Sequence, residues 1–245
     1  MLKEVLTIWH ENNAVDNTPK FTCKHCGKDF RQEKTLTAHL CETKRRWQQE
    51  KEVGVQLGLK AYLRFYELTQ GSAKLKSYAD FVSSPYYSAF VKFGRHCQDI
   101  RCVNYAKYLE WLLKNNKKLD HWCKDSLYTE WLPEYMKREA PQDALERALK
   151  EMTDYAEDHP DLRNGFSDYF RYGNANRICH HIATGRISPW VVYNCDSGVA
   201  FLEGLTEEQV GLIIQWIDPS FWQRRFRDYM ADTEWVKDIL KKASL

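Results

Sequence analysis

The sequence predicts a mainly α-helical chain that carries one small ββα module near its start. Three observations point there. Only 11 Gly and 7 Pro punctuate 245 residues, which favours long helices over a strand-and-turn fold. Apolar residues make up 43%, with 9 Trp, 14 Tyr and 11 Phe, enough for a substantial core. Most segments also repeat their apolar residues at helical rather than alternating spacing.

Residues 1–18 read as a short amphipathic helix, with Leu2, Val5, Leu6 and Trp9 on one face, followed by a linker. Residues 19–46 are the ββα module. Residues 47–245 read as one all-α body, and a second boundary can be drawn near 160. A helical pattern runs from Thr35 past the module to about residue 70, weakened by Gly54 and Gly58 and ended by Gly71. Ser84 and Pro85 mark the next helix start. Tyr105, Leu109, Leu112 and Leu113 share one helical face, and so do Leu145, Leu149 and Met152. The run "TEEQ" at 206–209 is a capping box, and two further helices follow in "DPSFWQRRFRDYM" and "TEWVKDILKKA". "ISPWVVYN" (187–194) is the best strand candidate, limited by Pro189 to a sheet edge.

No apolar run is long enough to span a bilayer. The start, "MLKEVLTIWHENN", has charge within its apolar stretch and no small-residue cleavage site, so an intracellular, soluble chain is expected. Eight cysteines over this length are no compact disulfide framework; in a reducing compartment they are free thiols or metal ligands. The net charge of +2 is uneven. Residues 1–138 hold 24 Lys+Arg against 16 Asp+Glu, or +8, and residues 139–245 hold 12 against 18, or −6. The basic half suits a polyanionic partner, and ordinary helix surface charge accounts for it equally well.

The densest signal is "FTCKHCGKDFRQEKTLTAHLCETKRR" (21–46). Cys23 and Cys26 form a knuckle whose sulfurs can face one ion. Twelve residues then separate Cys26 from His39, and Phe21, Phe30 and Leu36 stand where a ββα module needs its small core. Up to His39 this pattern resembles the C2H2 zinc-finger family. The resemblance implies a structural Zn2+ on Cys23, Cys26 and His39. Beyond His39 the chain departs from it, because positions 43–45 hold Thr43, Lys44 and Arg45 and no second histidine. Cys41 is the nearest substitute, and thiolate is the preferred ligand chemistry. Residues two apart on an α-helix diverge by about 200°, so Cys41 can join His39 only where the helix tightens or stops. A break at Leu40 would also turn Lys44, Arg45 and Arg46 in a new direction. Glu42, a more distant cysteine and a water are the other options.

The resemblance places the base-reading positions on Gln32, Thr35 and Ala38, none of which makes the strong Arg–guanine contact. Lys24, Lys28, Arg31, Lys34, Lys44, Arg45 and Arg46 favour phosphates instead. The expectation is weakly specific binding to DNA or RNA. The alternative is a protein-docking module on a body that associates with itself or a larger assembly.

Other groupings are weaker. Cys97, Cys102, His121 and Cys123 can be drawn as a second zinc site, although a five-residue step suits no standard knuckle. Cys179, His180 and His181 share a helix but point apart. "NRICHHIATGRISPWVVYN" faintly resembles a helix-turn-helix, and "QRRFRDYM" interleaves Arg224, Arg225 and Arg227 with aromatics that could stack on bases. No P-loop, dinucleotide fingerprint, GxSxG or HExxH is present, so no enzyme class is indicated; a metal-dependent nuclease, which needs only scattered carboxylates, stays as a third option. The body, with "SPYYSAFVKF", "DALERALKEM" and "ISPWVVYN", is similar to uncharacterised proteins of large tailed bacteriophages. That resemblance implies an infected bacterial cytoplasm or a virion as the setting.

Overall fold

The computed structural model describes residues 21–71 and 76–245. The helix and linker expected over 1–18 lie outside them. The chain divides into two compact units, one ending at Ile100 and one spanning Arg101–Leu245. The helices up to Asp99 therefore belong with the ββα module.

In the first unit, β1 (Phe21–Thr22) pairs antiparallel with β2 (Asp29–Phe30), Phe21 opposite Phe30. Helix α1 (Glu33–Ala38) packs on this hairpin, and α2 (Glu42–Gln48) follows after a break. The helical pattern that the sequence carries through this point is thus interrupted, as a ligand at Cys41 requires. Helix α3 (Val53–Gln70) ends at Gly71, whose φ of 73° is the left-handed conformation expected there. Helix α4 (Tyr78–Ser83) opens on a capping box of Ser77 and Asp80. The next helix, α5 (Tyr87–Asp99), begins two residues beyond the expected start. The Ser84 hydroxyl accepts the Tyr86 N–H at 3.1 Å, which holds Ser84–Tyr86 in a turn instead.

Gly54 and Gly58, which weaken α3 on propensity, have a packing reason. A methyl group on Gly94 of α5 would lie 2.1 Å from the Gly54 carbonyl oxygen, and one on Gly58 would lie 2.7 Å from that of Phe90. The two helices cross at backbone contact, which offsets the roughly 1 kcal/mol that each helical glycine costs. Tyr62, Phe81 and Phe90 close the core beside that crossing.

The second unit is helical throughout: α6 (Tyr105–Lys114), α7 (Asp125–Met136), α8 (Pro141–Asp158), α9 (Tyr169–Tyr172), α10 (Ala175–Ala183), α11 (Pro189–Val192), α12 (Asp196–Glu203), α13 (Glu207–Ile217), α14 (Pro219–Asp228) and α15 (Met230–Lys242), with 3-10 turns at Leu119–His121 and Gly165–Asp168. Helix α8 buries Ala144, Leu145, Ala148 and Met152 toward α11 and α15. The capping box at Thr206 and Gln209 forms as expected. The expected strand at 187–194 is instead helix α11. Ser188 caps the Trp190 N–H, Pro189 takes the first helical position, and Trp190, Val191 and Val192 are all buried. Tertiary packing of these side chains overrides the β preference of the valines. The helix-turn-helix reading falls with it, because a second helix buried on all four residues has no face for a nucleic-acid groove.

Two buried polar links brace this unit. Arg147 makes a bidentate pair with Glu139, whose side chain is 0% exposed, and donates to the Gly185 carbonyl at 2.7 Å. The Tyr169 hydroxyl meets Nδ1 of His181 at 2.6 Å. Among the described residues, no helix is long and apolar enough to cross a membrane.

Candidate metal centre

The knuckle is shaped by the backbone. The Gly27 N–H donates to the Cys23 carbonyl at 2.8 Å, and the Cys23 N–H to that of Lys28 at 2.9 Å. This folds residues 23–28 into a tight turn between the strands and brings both thiols to one side. The His25 N–H, and then that of Cys26, point at the Cys23 sulfur; their hydrogen bonds outweigh burial and hold its thiol below the usual range.

The break after α1 supplies the other two ligands. His39 has φ −70° and ψ 123°, and Cys41 has φ −84° and ψ 163°. Both are extended. In an extended chain, residues two apart face the same side, whereas in a helix they diverge. His39 and Cys41 therefore turn toward the knuckle together, while Leu40 between them points outward and is 59% exposed. Cys41 is also the N-cap of α2: its sulfur accepts the Lys44 N–H at 3.4 Å.

One ligand atom from each of Cys23, Cys26, His39 and Cys41 lies within 4.8 Å of all the others. The Cys26 sulfur is 3.3 Å from His39 Nε2, and the Phe30 ring packs against the imidazole at 4.7 Å. Three thiols and one imidazole on this scale form a group able to hold a metal ion. A tetrahedral zinc site has ligand–ligand edges of about 3.5–3.8 Å, so small side-chain rotations close the group. The Glu42 carboxylate is taken up elsewhere, by Arg45 at 2.7 Å and Arg46 at 3.1 Å.

The predicted phosphate-contacting residues are placed unequally. Lys28, Arg31, Gln32, Lys34 and Thr35 are exposed around the start of α1, and Arg31 and Lys34 have no ion pair among the described residues. Arg45 is exposed but paired with Glu42. The Lys44 ammonium donates to the His39 carbonyl at 3.0 Å, across the helix break. Arg46 is drawn into the protein. Its guanidinium donates to the Val82 carbonyl at 2.7 Å, stacks 4.5 Å from the Tyr87 ring and pairs with Glu42. The Tyr78 hydroxyl in turn donates to the Arg46 carbonyl at 2.8 Å, and its ring meets Trp47 at 5.0 Å. The module is thereby fastened to α4 and α5. Sequence reasoning missed this docking; the capping-box spacing Ser77–Asp80, which announces α4, was its one readable sign.

The other candidates do not assemble. Among the described residues, Cys97, Cys102, His121 and Cys123 form no metal-ligand group. Cys179 is buried, and burial pushes its thiol up. His181 faces Tyr169 rather than a metal partner. Compared with protein-family models, curated proteins and solved structures, the chain matches none of them.

Proposed function

We propose that the protein is a nucleic-acid-binding protein of low sequence specificity, built around a structural zinc finger. The observation that supports this reading is the helix break at His39–Cys41, which brings the Cys41 sulfur into a group that could hold a metal ion where the sequence offers no second histidine. Cys23, Cys26, His39 and Cys41 would hold Zn2+. A site closed by four protein groups leaves no position for substrate, so the ion folds the module and does no chemistry.

The exposed cations at the start of α1 then form the contact surface. Lys28, Arg31 and Lys34 would meet phosphates of DNA or RNA, Arg45 would add to the rim, and Gln32 and Thr35 are exposed beside them. One finger spans only about three base pairs, which fits weak specificity. Arg46 and Lys44 hold the finger's geometry instead of touching the ligand. The resemblance of segments of the body to tailed-phage proteins, which no comparison supports, would make an infected bacterial cytoplasm or a virion the setting of this reading. A second reading, a protein-docking module, is favoured by an open groove on the finger, lined by Thr22, His25, Leu36 and Thr37 together with Lys24 and Lys44.

Fluorescence anisotropy with labelled duplex DNA, single-stranded DNA and RNA at low and moderate salt tests the proposal. Binding should weaken steeply with salt and be lost on joint charge reversal of Arg31 and Lys34, while Arg46→Ala should act only through the fold. Absence of binding to all three probes at low salt would sink it in favour of protein docking.

A further inference from the structure

The second unit has a cleft of about 300 Å³ between the end of α7 and helix α14. Lys137, Arg138, Arg224 and Arg225 line it, opposed by Glu134 and Asp228. Cations at helix C-termini commonly answer the helix dipole, and that accounts for part of the set. Lys137 and Arg138 both lean on Glu134, at 3.1 and 3.6 Å. The other two are different. Arg224 is exposed and has no ion pair among the described residues. Arg225 lays its guanidinium 3.8 Å over the Tyr229 ring, and its Nε is buried with no hydrogen-bond partner there. Four cations against two carboxylates leave an excess of two positive charges, which matches in magnitude and opposes in sign the charge of a phosphate monoester at neutral pH. Aromatic surface adjoins them: Tyr229 is 46% exposed, and Phe221 lies half-buried beneath the Lys137 ammonium at 5.4 Å.

We propose that this cleft binds a nucleotide, its phosphate held by Arg224 and Arg225 and its base laid against Tyr229 and Phe221. Guanidinium groups suit phosphate because their planar fork can give two parallel hydrogen bonds. Aromatic faces beside them accept any base without reading its edge. The nucleotide is either free or a unit of a bound strand. The strand-borne form rests on the nucleic-acid reading of the finger; the free form does not.

The test is calorimetric titration of the full zinc-loaded chain with AMP and with inorganic phosphate, beside anisotropy with a 5′-phosphorylated, labelled ten-nucleotide DNA strand. Arg224→Glu and Lys34→Glu are the paired variants, both at exposed positions, with circular dichroism confirming the fold. AMP should bind more tightly than phosphate. Arg224→Glu should weaken AMP at least about tenfold, the effect of turning a charge-assisted contact into repulsion, and Lys34→Glu should leave it unchanged. If Arg224→Glu also weakens the strand, the cleft lies on a nucleic-acid path; if it affects AMP alone, the ligand is a free nucleotide. A strand that never binds, with AMP still dependent on Arg224, removes the finger reading and keeps the cleft. No AMP binding at ten-millimolar concentration, or an Arg224→Glu effect within twofold, overturns the proposal.

Discussion

In the finger, residues 21–48, Cys23 is the one buried side chain, and neither helix there buries any. The unit Arg101–Leu245 instead encloses Trp122, Trp190 and Trp222 at 1% exposure or less, with α8 supplying a continuous apolar face. A module this short cannot bury enough apolar surface to offset the order it imposes on its backbone. Its fold needs another source: docking on α4 and α5, and, if the proposed site is filled, the bonds between metal and ligands. The larger unit needs neither. The two regions should therefore fail under different insults.

Metal removal is the sharpest way to test that contrast. Structural zinc contributes on the order of 10 kcal/mol to modules of this size. Chelation should collapse the amide signals of residues 21–48 to random-coil positions in an NMR spectrum and leave those of 101–245 dispersed. Cys41→Ala should lower zinc affinity by at least about tenfold and mimic chelation at limiting zinc. Retention of tight one-to-one zinc by Cys41→Ala would transfer the fourth ligand elsewhere, and melting of both regions by the chelator would break the comparison itself.

The converse insult is a cavity. Trp222 packs on Trp190 and Phe226 and donates its indole N–H to the Trp216 carbonyl at 2.7 Å. Trp222→Ala should cost about 3–5 kcal/mol, the usual range for a large aromatic removed from a core. Thermal unfolding followed by near-ultraviolet circular dichroism should show that loss, while zinc stoichiometry stays at one. A zinc content that falls with the melting temperature would mean that the finger depends on the apolar unit.

The contrast also explains what could be read from the sequence. The candidate ligand group was legible because a metal site needs a fixed ligand spacing, and Cys23, Cys26 and His39 display it. Cys41 was legible only as a condition, since its service depends on a helix stopping at a place no local residue marks. The roles of Lys44, Arg45 and Arg46 were not legible. Arg46 is held by backbone carbonyls 36 and 38 residues away, and a carbonyl carries no sequence signature. Gly54 and Gly58 looked like defects because Gly94, the residue that gives them meaning, lies on another helix. The helices of the apolar unit followed their periodicity except at α11, where burial of Trp190 and its neighbours decides the conformation.

Acid sharpens the comparison with a smaller effect. His181 is 1% exposed; burial first, and then the nearby Arg186 and Arg177, bring its pKa down from 6.5 to about 4. Glu151, 3.5 Å from its Nε2, would oppose this, but that carboxylate is shared with Arg186 at 3.5 Å and Arg101 at 3.6 Å. The folded pKa lies below the unfolded one, so on acidification the unfolded chain takes the proton first. The stability tied to His181 is whole above about pH 6.5 and drains away as pH falls toward 4, by up to about 3 kcal/mol. His181→Phe keeps a ring against Tyr169 but removes the proton site. It should lower stability at pH 7, where the Tyr169 hydroxyl loses its partner, and flatten the slope between pH 6.5 and 4. Denaturant titrations at four pH values, repeated with and without chelator, would separate this from acid release of zinc: the His181 slope should persist without metal. A slope unchanged in His181→Phe would place the acid sensitivity of this unit on other groups.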